Sequence, residues 1–209
     1  MSRTTRARAA RAIAPVAGLL AAGLLVWQGS YAAFSASTVN QGDSWATGQL
    51  ALTNNGGNGS SYAQTTTTGL FGETNLVIGA TGQKCITVSS TGSIAGSLRL
   101  FRDAAFTGTN ANALAGALRV TVEAANTSGA DVSANCTAFP TTGVQTLHSN
   151  VALSSIPSTW AGGAAFAVPS GNQKVAYRIS WSLPTTGSNT SDNALQGATA
   201  TTNLNWEIQ

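Results

Sequence analysis

His148 is the only histidine in a chain of 209 residues. A zinc hydrolase of the usual kind needs three protein ligands and a base, often with two histidines one helical turn apart. No pair with that spacing exists here. His148 sits among Ser, Thr and Asn and reads as an exposed histidine without a role. The seven carboxylates, Asp43, Glu73, Asp103, Glu123, Asp131, Asp192 and Glu207, are scattered along the chain. Paired acid–base chemistry would need the fold to bring two of them together. The D-x-D-x-D calcium loop, the G-x-S-x-G elbow and the G-x-x-x-x-G-K phosphate loop are all missing from the sequence. On these residues no catalytic group, no metal ligand and no cofactor is assigned. Asn58, Asn126, Asn135 and Asn189 open N-glycosylation patterns, as chance allows in a chain so rich in Asn and Ser.

Two further residue types carry chemistry. Cys85 and Cys136 are the only cysteines. An even count in an exported chain reads as one disulfide, with two free buried thiols as the alternative. The bridge would close a loop of roughly fifty residues and contribute about 4 kcal/mol in the chain-entropy model. Trp45, Trp160, Trp181 and Trp206 suggest a carbohydrate platform, but Trp181 and Trp206 fall on the apolar faces of their strands, where core packing is expected.

The charge pattern locates the chain. Net charge is +3, yet Arg3, Arg6, Arg8 and Arg11 all lie in the first eleven residues. Removing those four of the ten Lys and Arg leaves six against seven Asp and Glu, a net of −1. A nucleic-acid binder keeps a basic face in its folded domain, so no nucleic-acid partner is expected. Residues 1–15 read as the basic region of a secretory signal and 16–27 as its apolar core. That core is too short to span a bilayer comfortably as a permanent helix. Ser30 and Ala32 supply small residues for cleavage between Ala32 and Ala33, with an uncleaved N-terminal anchor as the alternative. The expected organisation is a signal peptide over 1–32, in helical form, and one domain over 33–209. The expected location is extracellular or on the cell surface, with signal peptidase as processing partner and membrane contact only through an uncleaved signal.

The elements read as strands and turns. Ala33, Phe34, Ser35, Ala36, Ser37 and Thr38 alternate weakly and form a candidate short strand. Residues 45–53 read as a strand with Leu50 and Leu52 on one face, and 54–69 as a polar, glycine-rich loop. A short apolar run covers 75–78. Strands follow at 84–89 and 96–102. Cys85 has the parity opposite to Ile86 and Val88, so its bridge should tether the 131–140 loop to the outside or edge of a sheet and not fill the core. Residues 110–115 suggest a helical turn, and 117–125 a strand with Leu118, Val120 and Val122 on one face. Two short strands are expected within 141–153, and a loop anchored by Trp160 and Phe166 over 157–169. The strongest alternation is Val175, Tyr177, Ile179, Trp181 and Leu183, a long half-buried strand. Residues 184–193 read as a polar loop and 198–209 as a terminal strand. Eight or nine strands with almost no helix predict an all-β antiparallel sandwich or jelly roll.

Three blocks resemble the camelysin/TasA family of exported bacterial surface and biofilm-matrix proteins, which carry a SipW-type signal peptide. The first is Tyr31-Ala32-Ala33-Phe34-Ser35-Ala36-Ser37 with Trp45-Ala46-Thr47-Gly48-Gln49-Leu50-Ala51-Leu52. The second is Asn75-Leu76-Val77-Ile78-Gly79-Ala80, similar to the family's N-L-x-P-G-D, continuing into Ile86-Thr87-Val88-Ser89-Ser90-Thr91-Gly92-Ser93. The third is Asn193-Ala194-Leu195-Gln196-Gly197 with Leu204-Asn205-Trp206-Glu207, similar to an "LQG…F-x-W-E" ending. Ile78 replaces the motif's Pro and Ala80 its Asp, and the cysteine pair is not a general family feature.

The resemblance implies a jelly roll, export with signal removal by a dedicated peptidase, and a structural place in surface or matrix fibres. With the near-neutral mature chain, it leads to a self-associating protein in which Ala33 to Thr38 adds as a strand to the sheet edge of the next copy. Two alternatives come from other classes. One is a camelysin-like secreted metalloprotease, which needs carboxylates and His148 to converge. The other is an adhesin or binding module using loops 54–69 and 184–193.

Overall fold

The computed structural model describes residues 50–57, 61–66 and 69–209. The signal segment, the Ala32/Ala33 junction, the candidate strand Ala33 to Thr38, and Trp45 lie outside the described residues. The described residues belong to one unit, Gln41–Gln209.

Among the described residues, eight strands form two antiparallel sheets. They are β1 (Leu52–Asn54), β2 (Thr81–Ser90), β3 (Gly96–Arg102), β4 (Arg119–Asn126), β5 (Gln145–Ala152), β6 (Ala165–Val168), β7 (Gln173–Ser182) and β8 (Leu204–Ile208). The larger sheet has the order β1-β2-β7-β4-β5 and the smaller β6-β3-β8. Two short helices, α1 (Ala111–Ala117) and α2 (Asn189–Ala194), lie in the connections. The class is therefore all-β, as the alternation predicts, and the paired sheets are sandwich-like.

Side-chain parity explains why the sheets share a core. On β7, Val175, Tyr177 and Ile179 are buried on one face. They oppose Val88 and Ile86 of β2, and Val122 and Ala124 of β4. Leu98 and Leu100 of β3, Phe166 and Val168 of β6, and Ile208 of β8 join the same cluster from the smaller sheet. Tyr177 and Trp206 link the sheets edge to face, with centroids 5.7 Å apart. Trp181 and Trp206 pack against this core, as their positions on apolar faces predict.

The outer face of the larger sheet carries a second, smaller core. Cys85, Ala125 and Ala176 point outward and are covered by Val132 and Phe139. The Cys85–Cys136 disulfide, with Cα atoms 5.0 Å apart, pins this covering segment. The predicted outward parity and tether are present. The expectation that the bridge does not fill a core is corrected, since Cys85 is fully buried. Folding a loop over the sheet turns an outward position into an interior one.

Several boundaries differ from the sequence reading, for local reasons. In the 45–53 region, regular pairing is confined to β1 among the described residues. Residues 75–78 form no strand: Leu76 packs beside Leu183, while Val77 is 67% exposed. Leu118 does not share the face of Val120. It ends α1, donating its amide to Leu114 (2.9 Å), and packs with Leu114 and Leu183. The 141–153 segment is one strand, not two, and register shifts interrupt its pairing with β4. The 157–169 loop contains a 3-10 turn, Trp160–Gly162, and strand β6. Phe166 is its buried anchor, and the Trp160 indole N–H donates to the Glu207 carbonyl (3.2 Å). The 184–193 loop holds α2, whose first turn begins at Ser188, the side chain of which accepts from the Ser191 amide (3.4 Å). In the 198–209 segment regular pairing starts only at Leu204, preceded by an isolated bridge between Thr201 and Thr107.

Candidate functional site: the open side of the two sheets

Each sheet has two outer strands, and the two sides of the molecule treat them differently. On one side lie β5 and β6. β5 carries the bulges against β4, Asn150 there takes a positive φ of 50°, and its amide donates to Thr121 Oγ1 (3.0 Å). Gln145 reaches across to the Ala165 carbonyl of β6 (3.2 Å). Bulges and polar side chains blunt an edge against further pairing.

On the other side, β1 and β8 border a groove of about 430 Å³. Leu52, Leu70, Phe71, Leu204 and Trp206 give it an apolar wall, with Asn205 and Thr66 among its polar lining. The β8 ladder determines which backbone groups face it. Ser97 and Gln209 exchange amide-to-carbonyl bonds (2.7 and 3.3 Å), and the Asp103 amide donates to Asn203 (3.1 Å). Between them the register pairs Arg99 with Glu207 and Phe101 with Asn205. Bonded pairs alternate in an antiparallel ladder. The N–H and C=O groups of Leu204, Trp206 and Ile208 therefore face away from β3, and no described strand meets them.

Two buried polar groups add to this side. The Trp206 indole N–H and the Tyr177 hydroxyl have no hydrogen-bond partner. Burial pushes the Tyr177 hydroxyl far above its ordinary range, so it stays a neutral donor. Unpaired buried donors are uncommon, because each forfeits its bond to water. The alternation places both side chains inward. That neither finds a partner is a tertiary fact with no counterpart in the sequence pattern.

The turn before the groove is held by a dense polar network. Asn55 is buried; its Oδ1 accepts from the Thr87 amide (2.9 Å) and the Gly57 amide (3.0 Å). Its Nδ2 donates to the Val132 carbonyl (3.3 Å). Gly57 has φ +76°, and a Cβ there would lie 2.9 Å from the Cys85 carbonyl, so the turn needs glycine. Close by, Tyr62 donates to the Asp131 carboxylate, Lys174 Nζ lies 2.7 Å from Asp131, and Lys174 sits 5.1 Å over the Tyr62 ring. Burial alone would raise the Asp131 carboxyl, but the bonds from Lys174 and Tyr62 and the Lys174 charge hold it below the ordinary carboxylate range. Burial first, then the Asp131 contact, pushes the Tyr62 hydroxyl well up. Sequence reading missed this cluster, since its members are far apart in the chain.

The remaining candidates do not converge. His148 is half-buried on β5, correcting the exposed reading; burial lowers its pKa, and its Nε2 has no partner. Glu123 pairs with Arg178 (2.7 Å) and Glu73 approaches Lys84 (3.9 Å). Asp103 accepts from Asn203 and Asn205 (2.6 and 3.0 Å), and Asp192 from Thr185 and Thr186 (2.6 Å each). Those bonds hold Asp192 below the usual carboxylate range. Asp43 lies outside the described residues. Among the described residues, no three of His, Cys, Asp and Glu are placed to hold a metal ion. The arrangement places an apolar groove beside a row of backbone groups that no described strand meets. In comparison with known proteins, no family model matches the chain, and no curated protein matches it.

Proposed function

We propose that this chain is an exported, self-associating structural protein of the cell surface or extracellular matrix, with a jelly-roll domain behind a cleaved, helical signal. In this reading Ala33 to Thr38 of one copy adds as a strand along the β1/β8 side of the next. The observation that carries it is the outward-facing backbone of Leu204, Trp206 and Ile208 beside an apolar groove. An added strand would bond to those groups, and side chains such as Phe34 and Ala36 would enter the groove while Ser35 and Ser37 face solvent. Blunting of the β5/β6 side leaves one preferred direction of growth, as a head-to-tail fibre requires.

The test removes Ala33 to Thr38 from the mature chain and follows assembly by electron microscopy, with circular dichroism reporting the fold. A folded monomer without fibres is the expected result. Fibres indistinguishable from those of the intact chain would overturn the mechanism.

A further inference from the structure

A second cleft uses none of the groove's lining residues. It has a volume of about 590 Å³ and lies between α1 and the 184–195 segment. Its lining mixes small or apolar residues, Ala113, Gly116, Ala117 and Leu195 among them, with Asn110, Thr185, Thr186 and Arg119.

Arg119 differs from the other cations among the described residues. Lys84 and Lys174 pair with Glu73 and Asp131, and Arg178 with Glu123. Arg99 donates to the Ala161 carbonyl (2.8 Å) and Arg102 to the Ser154 carbonyl (2.7 Å). Arg119 has no such partner and is exposed. Its backbone, by contrast, is firmly held. β4 is flanked by β7 and β5, and Arg119 stands opposite Ser182 on one side and Ala152 on the other. A guanidinium without an ion-pair or hydrogen-bond partner therefore stands on a fixed base at the lining of a cleft of ligand size.

The polar groups around it favour one kind of ligand. The Thr185 and Thr186 hydroxyls donate to Asp192, and Thr185 Oγ1 also accepts from the Gly187 amide (3.0 Å), so each hydroxyl oxygen keeps a lone pair to accept. Asn110 donates its amide to the Ala194 carbonyl (3.0 Å), which leaves its own oxygen as an acceptor. Both Asp192 oxygens are engaged by the threonines, so that carboxylate is bound within its own loop. The cleft thus offers one planar cation and several acceptors. The matching ligand presents one carboxylate for the Arg fork and hydroxyl donors for the rim. Alanine and leucine surfaces suit the C–H face of a sugar ring. We propose that this cleft binds a carboxylated saccharide of the uronic-acid class.

The full chain would be titrated with trigalacturonic acid by calorimetry, with maltotriose and acetate as controls. Preferential binding of the acidic trimer over both controls is expected. Arg119→Gln should weaken it about tenfold or more, the scale of a charged hydrogen-bonded contact. Gly116→Leu serves as a second variant. A Cβ at Gly116 meets nothing within 4 Å, and leucine favours helix over glycine, so this change fills the cleft while the fold remains. It should abolish binding. Equal binding of maltotriose or acetate, no binding of the trimer, or unchanged binding by both variants would overturn the proposal. None of these results depends on whether fibres form.

Discussion

At the scale of single residues, Asp131 and Tyr177 make predictions of opposite sign, because one polar group is well partnered and the other is not. Asp131 sits with Lys174 Nζ at 2.7 Å and accepts from Tyr62. Its folded pKa is depressed, against an unfolded value of about 3.9. The unfolded chain therefore binds the proton first as pH falls. The stabilisation is complete above about pH 5, begins to fall as pH nears the unfolded value, and is lost as pH drops through the lower folded value. Asp131→Asn should cost about 1 kcal/mol at pH 7, the scale of a partly exposed pair with hydrogen bonds. It should also flatten the acid limb; urea melts at pH 7 and pH 3 give both numbers. Tyr177 predicts the opposite sign. Its hydroxyl is buried without a partner, and an unmet polar group carries a penalty of about 1–3 kcal/mol. Tyr177→Phe should be neutral or stabilising by about 1 kcal/mol in thermal unfolding of the monomer. A clear loss would mean that the hydroxyl has an acceptor.

At the scale of elements, the disulfide and its covering segment form the most separable part. Val132 and Phe139 cover the outer face of β2, β7 and β4, and Arg178 lies 4.4 Å over the Phe139 ring. Few elements of regular structure hold this segment; the bridge, the Asn55 network and the Asp131 cluster do. Replacing Cys85 and Cys136 together by alanine should lower stability by up to about 4 kcal/mol. Hydrogen exchange should rise first in residues 127–144, while β3 and β8 keep their protection. Uniform loss of protection would show that the segment and the main core unfold as one unit. The sequence placed this segment correctly on the outside through the parity of Cys85. It could not indicate that the outside is dry, because that depends on Val132 and Phe139 arriving from a distant stretch.

At the scale of the whole molecule, charge and edges make a joint prediction. Four arginines precede residue 12, and their removal with the signal would leave a nearly neutral chain, net −1. In the proposed scheme, cleavage and association are therefore coupled. Mass spectrometry of exported protein should give a mass beginning at Ala33, and size analysis of the same sample should give species larger than a monomer. Protein retaining Met1 yet equally assembled would separate the two events and count against the coupling.

The sequence by itself determined what depends on local pattern. Period-two alternation specified the long strand through Tyr177 and Trp181, the faces of Leu98 and Leu100, and the all-β class, because a pleated strand sends successive side chains to opposite faces. It was weaker where local pattern is shared between states: Leu118 fits a strand face as well as a helix end, and only contact with Leu114 and Leu183 decides. Tertiary structure alone brought Tyr62, Asp131 and Lys174 together, left Arg119 unpaired, and set β1 beside β8 with backbone groups facing outward. Those features arise from segments up to a hundred residues apart meeting in space, and no periodicity along a chain encodes which distant groups will meet and which will be left without a partner.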